Sequence, residues 1–267
     1  MLKLLHCEFA KLKRRPLFFA AVAISALLPL GCALFLPEMR EFSDGAEAVD
    51  RLMSALFQLS AYLLLMPAVI VLASNLLFEE QDNDTLTNLM TVPVGKPERA
   101  LAKMVLLFLF SIAFMAVGGL VNLAIVLAYG LEPTGFWKLF CVGIGQGIMM
   151  WAGALPCVLL VVLLNRSYII SVIITFFYTT VNYIFGTNDF FLMQPFGFNP
   201  GTLLPGPLTF RWFFQYLDTS DSGAQMTELL ERISPYFVTT PQAFLVVILE
   251  SAVFLTLISL VYKRQSC

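Results

Sequence analysis

The chain has 267 residues, 59% of them hydrophobic and 13% charged, with a mean hydropathy of +0.83 and a net charge of −2. A soluble domain carries charge on about a quarter of its residues, so water is excluded as the solvent for most of this surface. No basic stripe interleaved with aromatics exists, which excludes nucleic acid, and five scattered cysteines with the single histidine His6 offer no metal-ligand spacing.

Residues 1–16 predict an amphipathic helix, with Leu2, Leu5, Phe9 and Leu12 at helical spacing, Lys3, Lys11 and Lys13 off that stripe, and Pro16 as the breaker. Such a segment lies in the membrane interface with its lysines toward anionic headgroups; the plainer reading is a basic tail that only sets topology. The run at 17–36 is too long for a signal peptide and lacks a small-residue cleavage site, so it reads as a retained first span.

A helix needs about 20 apolar residues to cross the hydrocarbon core. Six runs qualify, at 17–36, 55–77, 104–129, 139–164, 168–185 and 242–262. Lipid leaves backbone groups no outside partner, so these runs predict helices and an all-α polytopic fold. With the N-terminus inside, eleven of the 16 lysines and arginines fall on the cytoplasmic side, which puts both ends there. The expected organisation is one interfacial helix, 1–16, followed by one six-span domain, 17–267. The link at 165–167 is so short that the fourth and fifth spans must be antiparallel neighbours.

Two connections are long. In the cytoplasmic one, 78–103, Asp82, Asn83 and Asp84 suit a helix N-cap, and a short helix over 85–91 is ended by Pro93. Leu86, Leu89 and Met90 share one face, and Pro97 opens a second helix that runs into the third span. The short helix either docks in a groove of a soluble partner or packs on the membrane surface. Gly95 and Lys96 are followed by Pro97, without the upstream glycine or the Ser/Thr of a phosphate-binding loop, so any ATP must be hydrolysed by another chain.

This loop resembles that of the membrane subunits of type-2 ABC exporters. Their pattern is a Glu, three variable residues, Gly-Thr, Leu-x-x-Leu-Leu-Thr-x-Pro, a basic residue three positions on, and Ala-Lys at the start of the third span. Glu80, Thr85, Leu86, Leu89, Met90, Thr91, Pro93, Lys96, Ala102 and Lys103 match it, while Asp84 stands where the pattern has glycine. Glu8, Phe9, Lys11, Leu12 and Arg14 are similar to the family's opening motif. The resemblance implies that 80–93 form the coupling helix that docks on cytoplasmic ABC ATPase subunits, and 1–16 the connecting helix. It implies ATP and magnesium on that partner, no cofactor on this chain, and a second permease subunit or a second copy, in a bacterial plasma membrane. The small size and the long external segment before the last span resemble the permeases of lantibiotic and bacitracin immunity. That implies an amphiphilic antimicrobial peptide as cargo, with another drug or a lipid as the alternative.

Inside the spans, Glu250 is the single acidic residue, and burying a carboxylate there costs about 2.5–3.5 kcal/mol on insertion scales. It either lines a translocation path or forms a polar clasp with Asn122, Gln146 or Asn182. Gly143 and Gly147 form a GxxxG pair that permits close helix approach, between copies or within the bundle. The external segment, 186–241, is rich in Pro and aromatics, including Phe210, Trp212, Phe213 and Phe214. These form either an interfacial lid or a recognition surface for amphiphilic cargo, with parts dipping into the outer leaflet. A capping pattern at Ser222 and Gln225 predicts a short helix with Met226, Leu229, Leu230 and Ile233 on one face. A proton-coupled secondary transporter using Glu250 is the competing class; the lack of an internal repeat argues against it. An intramembrane protease would need a second acid within the spans, and none is present.

Overall fold

The computed structural model describes residues 9, 16–35, 44–82, 95–164, 168–217 and 224–264, and every regular element among them is helical. Helix α1, Pro16–Phe35, is uncharged over its 20 residues. Helix α2, Gly45–Ala55, starts at Asp44, whose side chain accepts the Glu47 N–H at 2.8 Å. It continues without a break through a π-helical stretch, Leu56–Leu65, into α3, Met66–Asp82. The widening has a local cause. Pro67 has no N–H to give and its ring clashes with the carbonyl four residues back, and a wider turn relieves both. The Met66 N–H accordingly reaches Ala61 O, five residues back.

Helix α4, Lys96–Ala128, begins at Gly95 with Pro97 in its first turn. It ends where Gly130 takes φ 74°, with the Gly130 N–H on Leu127 O and the Leu131 N–H on Val126 O. These paired bonds satisfy the last carbonyls and need a left-handed residue, hence glycine. Helices α5, Phe136–Leu164, and α6, Tyr168–Gly186, follow. Then come the short α7, Asp189–Leu192, and α8, Pro200–Leu203, and helix α9, Pro205–Phe213, which passes into a 3₁₀ turn. Helix α10, Ala224–Ile233, lies where a short helix is predicted, with Leu230 and Ile233 buried, while the capping residue Ser222 lies outside the described residues. Helix α11, Thr240–Arg264, closes the chain.

Four stretches are long and apolar enough to cross a membrane: Gly45–Leu77, Pro97–Ala128, Phe136–Leu164 and Thr240–Lys263. They coincide with the second, third, fourth and sixth predicted runs. The runs at 17–36 and 168–185 are helical as α1 and α6, with shorter apolar stretches at Val22–Gly31 and Ile170–Gly186. The second helix starts ten residues before the predicted 55 because α2 is amphipathic: Ala48, Val49, Leu52 and Met53 are buried while Glu47 pairs with Arg51. Of residues 1–15, only Phe9 is described, as helical and half exposed.

Helix α4 packs on α1, α3, α5 and α11, while α5 also meets α3, α6 and α9. Gly143 and Gly147 face into the bundle: a Cβ on the first would meet the Phe57 ring at 3.2 Å, and one on the second Ser111 O at 2.9 Å. The pair therefore serves close approach within the bundle. One end of the bundle gathers the end of α1, the start of α2, the turn after α4 and the described residues before α11, since Tyr129 bonds Ala33 O, a Cβ on Gly45 would fall on Glu132 O, Lys138 bonds Tyr216 O and Trp212 bonds Thr240. The opposite end carries Asp82, Lys96 and Leu164. Leu245, Ile248, Leu249 and Val253 of α11 point outward, as lipid-facing side chains do.

Candidate functional site

Between α6 and α11 the described residues return into the bundle as α9, all nine residues of which are buried. Pro205 rests against Gly153, whose Cβ would stand 3.0 Å from the Pro205 Cγ. Gly153 lies seventeen residues into α5, about 25 Å along a helix rising 1.5 Å per residue. Seating a backbone turn this deep requires partners for its polar groups. Tyr62 of the π-helical stretch donates its hydroxyl to Gly206 O at 3.1 Å, and the Gly206 N–H donates to Asn182 Oδ1 at 3.4 Å. Asn182 Nδ2 donates to Tyr178 O at 2.9 Å, and the Tyr178 hydroxyl to Gly153 O at 2.6 Å. The result is a hydrogen-bonded collar of Tyr62, Asn182 and Tyr178 around the tip of α9.

Aromatic rings fill the space above that collar. Phe210 stacks on Tyr62 at 5.0 Å between centroids, and Phe213 sits 5.5 Å from Phe57. Phe210, Phe213 and Phe214 touch one another. Phe210 and Phe213 are fully buried, Trp212 and Phe214 nearly so. These four residues, read from sequence as a lid or a cargo surface, face the bundle interior. Arg211 beside them is 0% exposed, with Nε donating to Tyr236 O at 2.7 Å and Nη1 to Gly201 O at 2.9 Å. Burial holds its pKa below the ordinary guanidinium value.

The three intramembrane amides bond backbone groups. Asn122 Nδ2 donates to Leu52 O at 3.0 Å and Gln146 Nε2 to Phe57 O at 2.8 Å, so both brace the α2 and π-helical backbone. Asn182 belongs to the α9 collar. Glu250 is half-buried on α11.

At the opposite end, Lys103 is 1% exposed and its Nζ donates to Leu76 O at 2.5 Å, joining the end of α3 to the start of α4. Helix α3 runs on to Asp82, beyond the predicted span end at 77, and carries Glu80 in its last turn. Thr85, Leu86, Leu89, Met90 and Pro93 lie outside the described residues. The Lys103 bond thus ties together the two helices that flank residues 83–94.

Sequence reasoning missed Tyr62, Tyr178 and Gly206 as members of one site. The available signal was Pro205-Gly206-Pro207, two rigid residues around one without a side chain, inside an uncharged interval running from Phe190 to Phe210.

The chain finds no match among curated proteins. A family model described as ABC-2 family transporter protein matches residues 4–182, a stretch that takes in helices α1 to α5 and most of α6. That match covers more than half of the sequence and agrees with a bundle of apolar helices that carries its polar groups inward, so this multi-pass membrane chain belongs to the ABC-2 transporter family.

Proposed function

We propose that the chain is the permease subunit of an ATP-driven ABC exporter, with six spans and both ends in the cytoplasm. The observation that carries this reading is the family match over residues 4–182, which includes the loop motif from Glu80 to Pro93. ABC-2 permeases work with ABC ATPases, and ATP and magnesium belong to that partner. Residues Glu80, Thr85, Leu86, Leu89, Met90 and Pro93 form the docking peg, and the α3 and α4 ends joined through Lys103 and Leu76 O carry its motion into the bundle. The continuous rod from Gly45 to Asp82 links that peg to Tyr62, and through Tyr62 to the tip of α9. Movement of the rod would break the collar and free the aromatic cluster around Phe210 and Phe213. A second permease subunit or copy completes the path. The cargo is an amphiphilic antimicrobial peptide, a reading that rests on the resemblance to lantibiotic and bacitracin immunity permeases and fits an aromatic surface unmasked near one membrane face.

Glu80→Arg and Leu89→Asp are expected to abolish recovery of the ATPase with the solubilised permease, while membrane insertion stays at the wild-type level. Both positions lie outside the apolar stretches Gly45–Leu77 and Pro97–Ala128, so neither change alters a span. Equal recovery of ATPase by wild type and both variants would remove the coupling assignment.

A further inference from the structure

The aromatic load between α6 and α11 divides into two sets. Phe210, Trp212, Phe213 and Phe214 are buried, but Phe190, Phe196 and Phe198 are 71%, 43% and 95% exposed. No charged residue occurs from Phe190 to Phe210. A loop standing in water seldom gathers three open phenylalanines in nine residues with no charge among them.

The loop's backbone is also bonded in a way that water does not require. Asn188 Oδ1 accepts the Phe190 N–H at 2.9 Å, and Gln194 Oε1 accepts the Gly201 N–H at 2.8 Å. Asn199 donates Nδ2 to Pro195 O at 2.7 Å and accepts the Thr202 N–H at 3.1 Å. Gly201 O takes a bond from the buried Arg211. A turn that satisfies several of its backbone N–H groups internally while turning its rings outward lowers the cost of entering an apolar phase. Its position agrees: two residues separate Gly186, the end of α6, from α7, and Gly186 packs against Phe210 of the buried α9. Beside it, Asp189 lies 3.6 Å from Arg232 of α10, whose Glu228 and Glu231 are exposed. Those charges mark a headgroup level next to the rings.

We propose that Phe190, Phe196 and Phe198 insert into the acyl region of the adjoining lipid leaflet, so that this loop is a membrane anchor that pins α9 in its seat. The occupant of the exposed surface is lipid, because the loop continues directly from a membrane helix and carries no charge for a soluble partner.

The test places a nitroxide on Phe198→Cys in the full-length chain, with the five native cysteines replaced by alanine. The protein is reconstituted in vesicles of phosphatidylethanolamine and phosphatidylglycerol, and collisions with oxygen are compared with those of a water-soluble nickel chelate. Phe190→Cys serves as the second lipid reporter and Glu231→Cys as the aqueous reference. The expected result is a several-fold higher ratio of oxygen to nickel collisions at 198 and 190 than at 231. Nickel access at 198 equal to that at 231 overturns the proposal and leaves the loop in water. Dipolar broadening at 198 that disappears on dilution with unlabelled protein overturns it too, by assigning the surface to a second copy of the chain. Phe198 touches so little of the protein that its replacement leaves the fold intact.

Discussion

Gly206→Ala is expected to unseat α9 and lower the melting temperature of the detergent-solubilised protein by several degrees. A Cβ at this position would fall on the Asn182 carbonyl oxygen, 2.9 Å from the Asn182 carbonyl carbon and 3.3 Å from the Gly186 nitrogen. All three are backbone atoms of one helix, so none can swing aside as a side chain would. Overpacking a well-filled site costs about 1–3 kcal/mol, and an immovable obstacle puts this substitution at the upper end. The same shift would lengthen the Tyr62–Gly206 and Gly206–Asn182 bonds, leaving buried polar groups without partners. Gly197→Ala is the matched control, since its Cβ would meet only Asn199 Nδ2, at 3.8 Å. Both melting curves are read by fluorescence-detected gel filtration after heating. Coincident curves would mean that α9 is not clamped against α6.

The helical plan was legible because lipid imposes a length and an apolar composition that few other environments require. The spans around Met115, Met150 and Val253 could be read from hydropathy alone, and four of the stretches so read are long apolar helices here. What hydropathy cannot report is which side of a helix meets protein and which meets lipid, since Phe114 and Phe177 are equally apolar but the first is buried and the second 63% exposed. The early start of α2 escaped for the opposite reason: Glu47, Asp50 and Arg51 break the apolar run, although Ala48, Val49, Leu52 and Met53 still bury one face. Amphipathicity was the signal there, and a window tuned to membrane spans averages it away.

The candidate site was less legible. Asn122, Gln146 and Asn182 stood out as polar residues in apolar runs, but their partners are backbone groups of distant segments, Leu52 O, Phe57 O and Gly206 N. No side-chain pattern announces a backbone acceptor. The π-helical stretch, with Pro67 as its cause, could be traced only after the helix was seen to pass through that residue. Its effect is mechanical. The wide turn carries Phe57 and Tyr62, which respectively accept from Gln146 and donate to Gly206. π-helical turns are rare and are frequent at functional sites, and this one supplies the residue that grips α9.

Arg211→Ala is expected to loosen the 187–239 segment as a whole while leaving the helices behind it intact. The Lys/Arg distribution counts this arginine among the five on the external side, and a cation in such a loop is ordinarily solvated. It is instead fully buried and joins three parts of the segment: its own α9, Gly201 at the end of the phenylalanine loop, and Tyr236 after α10. Removing it strands two carbonyl oxygens, and each buried unsatisfied group costs about 1–3 kcal/mol. The lost total, about 2–6 kcal/mol, falls on local bonds rather than on the apolar packing of α4 and α5. Hydrogen–deuterium exchange should therefore quicken in peptides covering 197–217 and 232–240, with those covering α4 and α5 unchanged. Arg211→Lys should be intermediate, because one ammonium cannot present separate donors to both carbonyls in the geometry of a guanidinium fork. Uniform quickening across all helices would mean that Arg211 supports the bundle itself; slow exchange retained at Gly201 and Tyr236 would mean that the aromatic packing of Phe210 and Phe213 holds the segment without it.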